Sequence, residues 1–324
     1  MKINLLTIGP DNTTGFRKHL EELSKLINKG NFLAVKEKYA AKTLPKIMKI
    51  KSTLTIIGGR NWIKRNHKIL EKIPGKKGIL YTSPLAQAEI SNEEIANLKT
   101  YFSWLDSKKI DYLFFSSKSL AERFDRDDVY HLPAPSITDL NLFKQKKKVP
   151  KTNTVGLINN KARHKNILNT IAGVSLSSKT KEFIINGLNE EYEDLLKRFG
   201  LKKRTKNVGF LSNKRYNEIM LSLKLSVHIS FSESYCYSVF KAMAVGTPVL
   251  VSKAIDWVKI KDLIINDLRD HEEIAKKIDY VLGLSKADYI KLSSKCQKNA
   301  MQSIENNNKT SKKVIEKILR LHDQ

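Results

Sequence analysis

Short, unbroken apolar runs followed by a loop and a helix-spaced segment recur along this chain, and that alternation constrains its fold more than any other feature. "KINLLTIG" (2–9) has the pattern of a buried strand and "PDNTTG" (10–15) that of a turn. "FRKHLEELSKLINKG" then repeats apolar residues at Phe16, Leu20, Leu23 and Ile27 before stopping at Gly30. Further strands are expected in "STLTIIGG" (52–59), "KGILYTS" (77–83) and "DYLFFSS" (111–117). Apolar strands separated by helices predict a mostly parallel sheet.

The cycle breaks at "LPAPSITDLNLF" (132–143) and at the charged, proline-containing "KQKKKVPKTN" (144–153), read as a linker. It then restarts. Strands are expected in "TVGLIN", "KEFIING", "KNVGFLS", "LSVHISFS" and "PVLVS", with helices in "KNILNTIAGVSL", "EEYEDLLKRFG", "KRYNEIMLSL" and "VFKAMAVG". Two α/β domains in series follow, residues 1–148 and 149–305, with a cleft between them. Residues 306–324 are expected to form a basic amphipathic helix that packs back on the first domain.

The chain's 324 residues are 41 % hydrophobic, enough for two cores. Two cysteines, Cys236 and Cys296, make neither a disulfide framework nor a CxxC clip, which suits a reducing compartment. The N-terminal apolar run is broken by Gly-Pro, and no segment approaches about 20 apolar residues, so a cytoplasmic location is expected. Charge is the outlier. Lys and Arg number 59 against 33 acids, a net of +26, and residues 1–78 hold 18 basic and 5 acidic side chains while residues 79–150 are neutral. A lysine-rich genome raises lysine everywhere; concentration in one segment argues for a polyanionic or anionic-surface partner.

In an open parallel sheet, ligands collect at the carboxyl ends of the strands. Glu233 follows the strand "LSVHISF", and the helix starting at "SVFKAMAVG" aims free backbone N–H groups at the same region. A diphosphate fits there, although a Glu at a strand end also serves as a plain helix cap. "NNKARHKN" (159–166) follows another strand and offers Lys161, Arg163, His164 and Lys165 at a helix start. Arg and Lys there neutralise phosphate oxygens, or merely form a solvated basic loop. Asp125 and Asp127 resemble a DxD metal motif but follow a helical stretch, the setting of a solvated turn; no metal site is expected.

"ESYCYSVFKAMAVGTPV" (233–249) resembles the signature E-G-F-G-x-x-x-x-E-A-M-A-x-G-T-P-V of the retaining glycosyltransferases of family 4. The likeness covers residues ~150–285 well and residues 1–130 only in architecture. It implies the GT-B fold, two Rossmann-like doubly wound domains, acceptor-binding first and donor-binding second. It implies that Glu233 contacts hydroxyls of the donor sugar, and that the amides of Ser234, Tyr235, Cys236, Tyr237, Ser238 and Val239 lie over the sugar and diphosphate. Lys165 looks like the diphosphate lysine, and Arg163 can stand in for the arginine that the family carries where this chain has Leu157. Phe210 and Leu211 match the stretch framing the nucleobase. Gly15 stands where backbone approaches the donor phosphates, and Thr247 lies in the Gly-Thr-Pro turn. Two departures stand out. Lys241 replaces the second signature glutamate, which accepts from the ribose, and a lysine only donates. Thr82 and Ser83 stand where relatives often carry an acceptor-side histidine, with Gln87 and Glu89 nearby.

The resemblance implies transfer of a sugar from a nucleotide-sugar, such as a UDP-sugar, with retention and without an obligatory metal or other cofactor. Lys165, Arg163 and helix-end amides stabilise the leaving diphosphate while the sugar becomes oxocarbenium-like. The excess charge sits in the acceptor domain, where "KEKYAAKTLPKIMKIK" (36–51) and "GRNWIKRNHK" (59–68) mix Tyr39, Trp62, Lys64 and Arg65 with other bases. Two acceptors fit: DNA carrying a hydroxylated base, favoured here, or a lipid-linked or envelope saccharide at an anionic membrane. Pro45 interrupts any membrane stripe in 36–51. An inactive protein that kept the fold is the third reading, with Lys241 as its mark.

Overall fold

Six parallel strands order the first part of the chain: β1 (Ile3–Gly9), β2 (Gly30–Lys36), β3 (Leu54–Gly58), β4 (Lys76–Tyr81), β5 (Tyr112–Phe115) and β6 (Val129–His131), arranged β2-β1-β3-β4-β5-β6. The computed structural model describes residues 3–9, 15–27, 30–36, 52–58, 63–64, 67–84, 92–145, 147–158, 162–187 and 190–321. It divides into two compact units, Met1–Thr138 with Ile304–Gln324, and Asp139–Ser303.

In the first unit, side chains alternate across the sheet. Leu5, Ile56, Leu80 and Phe114 enter one core with Leu20 and Leu23 of α1 (Gly15–Ile27). Leu6, Ile57, Ile79 and Phe115 enter the other, with Trp104 and Leu105 of α2 (Asn92–Asp106). A sheet buried on both faces explains strands whose apolar residues run on rather than alternate with exposed polar ones. β4 needs Gly78 because a Cβ there would lie 2.3 Å from the Phe114 ring. A four-residue helix, α3 (Lys118–Ala121), precedes β6. Strand β2, "GNFLAVK", is an element that the apolar pattern did not announce; the periodicity ends with the helix before it.

The second unit contains β7 (Thr154–Leu157), β8 (Glu182–Ile185), β9 (Thr205–Asn207), β10 (Leu225–His228), β11 (Val249–Ser252) and β12 (Ile264–Ile265) in the order β12-β11-β10-β7-β8-β9, all parallel. Helices α4 (Ile167–Leu176), α5 (Glu190–Arg198), α6 (Asn213–Ser222), α7 (Tyr237–Ala244) and α8 (His271–Leu282) connect and flank them. The chain runs from β7 to β8 on one side, then returns to β10 on the other side of β7. The topological switch therefore lies between β7 and β10. β9 is shorter than the strand expected in "KNVGFLS"; Gly209, at φ +64°, turns the chain away and leaves Phe210 and Leu211 in the loop beyond it.

The last helix, α9 (Lys286–Arg320), is one element of 35 residues rather than a separate tail from 306. Residues through Ser303 belong to the second unit, where Tyr289, Cys296 and Ala300 are buried. The remainder belongs to the first unit, as expected, where Ile315 and Ile318 join the Leu5 core. Burying each contributes about 1.5–3 kcal/mol. Asn307, Asn308 and Ser311 fasten this stretch to the backbone of Ala134, Ser136 and Pro133. No helix among the described residues is long and apolar enough to cross a membrane.

Candidate active site

The loops leaving β7 and β10 meet at the switch point of the second unit. After β7, a short 3-10 turn carries Arg163, His164 and Lys165, and Asn166 then adopts a left-handed backbone, φ 52°, to begin α4. The Asn166 side chain donates to the Leu268 carbonyl at 2.9 Å, and the Phe231 amide donates to the His164 carbonyl at 2.8 Å, so the two loops are tied together. After β10, Trp257 donates from its indole to the Tyr235 carbonyl at 2.7 Å, and its ring lies 5.7 Å from that of Tyr235. This pins the segment that enters α7. Cys236, at φ 63°, caps the helix in a conformation that glycine adopts without strain and that the signature supplies with glycine.

Lys165 and Glu233, 68 residues apart, are joined by an ion pair between Nζ and Oε1. His228, the last residue of β10, brings Nε2 to 2.8 Å from the same carboxylate oxygen. Cys236 Sγ lies 3.1 Å from that ring nitrogen and 3.2 Å from Ser238 Oγ. Only 6 % of the Glu233 side chain and 10 % of the Lys165 side chain is exposed. Burial by itself would raise the Glu233 pKa, but the hydrogen bonds and charges of His228 and Lys165 outweigh it and hold the carboxyl far below the usual carboxylate range. For His228, burial opposes the charge while Cys236 and Glu233 favour it, and the net direction is upward. The result is an anionic carboxylate at a strand end beside a buried ammonium and the start of a helix. Such a set accepts from ligand hydroxyls and donates to ligand phosphate.

His228 is a site residue that the sequence did not single out, although a histidine ending an otherwise apolar strand was its available signal. The structure brings Lys165, Glu233, Cys236 and Ser238 together. Arg163 is exposed on the same turn. Ser234 and Tyr237 are half-buried in the loop and first turn. Tyr235 and Val239 face the core, leaving only their backbone for a ligand. Lys241 lies with Nζ 5.8 Å above the Tyr216 ring, and the Tyr216 hydroxyl donates to the Ser238 carbonyl at 2.9 Å. Phe210 is 98 % exposed and Leu211 is half-buried beside it.

Thr247 is fully buried, donates to the Met220 carbonyl at 2.5 Å and accepts from Lys147 Nζ at 2.9 Å. It holds the turn between α7 and β11, which Gly246 makes at φ +83°. Gly15 opens α1. Ser83, just beyond β4, is buried, and Lys64 is half-buried. Trp62, Arg65 and Gln87 lie outside the described residues. Asp125 and Asp127 form no metal cluster among the described residues. The neighbouring Arg126 instead bonds Asp106 at 2.7 Å and Asp128 at 2.8 Å.

Fold and site together define a two-unit, doubly wound protein with a polar crevice at a strand switch point. Residues 140–303, half of the chain, match the family model "Glycosyl transferases group 1", and the chain belongs to that family: it is a glycosyltransferase. No curated protein matches it significantly. Among solved structures it is similar to Anabaena HepE in complex with UDP and glucose (TM-score 0.76, 14 % identity, 97 % of this chain and 99 % of that one). It is also similar to sucrose-phosphate synthase of Thermosynechococcus elongatus (TM-score 0.73, 13 % identity, 99 % and 100 %). TarM of S. aureus aligns over 87 % of this chain and 57 % of its own (TM-score 0.65, 14 % identity). At these identities the likeness is one of fold, and the fold is that of the two-domain GT-B enzymes.

Proposed function

We propose that this enzyme moves a sugar from a nucleotide-sugar to a hydroxyl acceptor, with Glu233 binding sugar hydroxyls and Lys165 the leaving diphosphate. The observation that carries this is the Glu233–Lys165 pair at the β7/β10 switch point, supported by HepE having been crystallised with UDP and glucose and with UDP-glucose. On donor binding, Lys165 exchanges Glu233 for phosphate oxygens and frees the carboxylate to accept from the sugar. As the glycosidic bond breaks, Lys165 and the first amides of α7 stabilise the charge growing on the diphosphate. Arg163 adds a guanidinium from the same turn. Phe210 offers a free aromatic face for the base. The family-4 signature favours retention, and with lysine, arginine and amides on the diphosphate no metal or other cofactor is required for turnover.

The acceptor is a polyanion held by the basic first unit, with a hydroxylated base in DNA as the leading candidate. The charge of residues 1–78 supports this reading. A lipid-linked or envelope saccharide at an anionic membrane is the second reading, and the same charge favours it. The test is to give purified enzyme labelled UDP-sugars with hydroxymethylated DNA in one arm and lipid-linked saccharide in the other. Transfer to lipid alone overturns the DNA reading; a Glu233→Ala enzyme that turns over normally overturns the site.

A further inference from the structure

Cys236 stands where the signature has glycine, and beside it lies His228, which ends β10. Together with Glu233 they aim one soft sulfur, one imidazole nitrogen and one carboxylate oxygen at a common point, all three ligand atoms lying within 4.8 Å of one another. His228 Nε2 is 2.8 Å from Glu233 Oε1 and 3.1 Å from Cys236 Sγ. Around a tetrahedral zinc ion, with bonds of about 2.0–2.3 Å, such atoms stand roughly 3.4–3.6 Å apart. The two separations from His228 Nε2 therefore open by about half an ångström to accommodate the ion, and three protein ligands leave a fourth position open. Cys236 has a left-handed backbone, φ 63°, and its Sγ lies against the last residue of β10. Thiolate, imidazole and carboxylate together select zinc-type ions over magnesium or calcium, which prefer oxygen alone.

We propose that His228, Glu233 and Cys236 form a binding site for a thiophilic divalent cation of the zinc type, and that its occupancy excludes the donor sugar. The second half rests on the assignment of Glu233 to the sugar. A cation on Glu233 competes with Lys165 for the carboxylate and removes the acceptor the sugar hydroxyls require. The ion is thus an inhibitor, distinct from any requirement of turnover.

Full-length protein is titrated with zinc by calorimetry and with cobalt by absorption spectroscopy, and UDP-glucose affinity is measured with and without zinc. The expected result is one ion per chain, a thiolate-to-cobalt charge-transfer band, and UDP-glucose bound at least tenfold more weakly when zinc is saturating. By reciprocity, UDP-glucose weakens zinc by the same factor. His228→Gln and Cys236→Gly each weaken zinc at least tenfold. Cys236→Gly is the variant that folds without difficulty, since glycine suits φ 63°. Cys296→Ser, at the other buried cysteine, leaves zinc affinity unchanged. Equal zinc affinity in Cys236→Gly, or cobalt binding without the sulfur band, overturns the site. Zinc bound through Cys236 with UDP-glucose affinity unchanged overturns the inhibition. Failure of UDP-glucose to bind metal-free protein strikes the donor assignment instead, leaving the site judged by the metal titrations.

Discussion

The two units use parallel sheets of six strands but place their switch points differently, β1/β3 in the first and β7/β10 in the second. In the second unit the two loops at the switch carry opposite charges that neutralise each other in the absence of ligand, Lys165 against Glu233. In the first, the sequence segments that follow β1 and β3 are "PDNTT" and "GRNWIKRN", the latter with three bases and no acid. One crevice is a preformed, internally paired polar site suited to a small charged ligand. The first 78 residues instead carry an excess of bases, 18 against 5 acids.

Substitutions on the two sides sharpen this contrast, beginning with the largest effect. Glu233→Gln keeps the shape and removes the charge, and kcat/KM with a nucleotide-sugar is expected to fall at least 100-fold, about 3 kcal/mol of transition-state stabilisation. Next comes Lys147, whose Nζ lies 2.6–2.9 Å from the carbonyls of Met220, Leu221 and Leu223 and from Thr247 Oγ1, four acceptors that share its three N–H donors. Lys147→Met leaves these partly buried acceptors unpaired and should cost about 2–3 kcal/mol in denaturant unfolding. A comparable loss of turnover per folded molecule would place Lys147 in the site rather than beneath it.

A smaller effect concerns the first unit alone. Raising salt from 50 to 200 mM should weaken the acceptor about tenfold or more while changing donor affinity little, read by parallel KM measurements. Equal sensitivity of both substrates would erase the contrast between the units. The smallest effect is on acid stability. Burial, with help from His131, pushes His19 down to about 3, against the Pro133 carbonyl, which favours the charged form. The unfolded chain therefore takes up a proton that the folded unit refuses. Stability is intact above about pH 6.5 and declines as pH falls toward 3. Roughly 1 kcal/mol is lost between pH 6.5 and 5.5, and His19→Leu should flatten that part of the unfolding profile.

Much of the fold and of the candidate site is legible in the residues themselves. Apolar strands alternating with helical spacing specify doubly wound sheets, and the Glu233 signature with Lys165 points to the second unit's strand ends. Residues that need long-range context are not legible in this way. His228 reads as one more position of a buried strand until the loop after β10 folds back and brings Glu233 and Cys236 against its ring. Nothing local in the Gly-Thr-Pro turn announces that the end of α6 and Lys147 close over Thr247. The helix expected from residue 306 is continuous from Lys286 because buried residues of both units fall along its length.

Local periodicity and side-chain chemistry, carried by the sequence alone, determined the elements, their parallel pairing and the kind of ligand they suit. Strand order belonged to the tertiary structure. It decided which loops meet, because a contact between residues 165 and 233 arises from the chain crossing back over β7 and from no feature of either loop. That crossing makes a lysine, a glutamate, a histidine and a cysteine into one site.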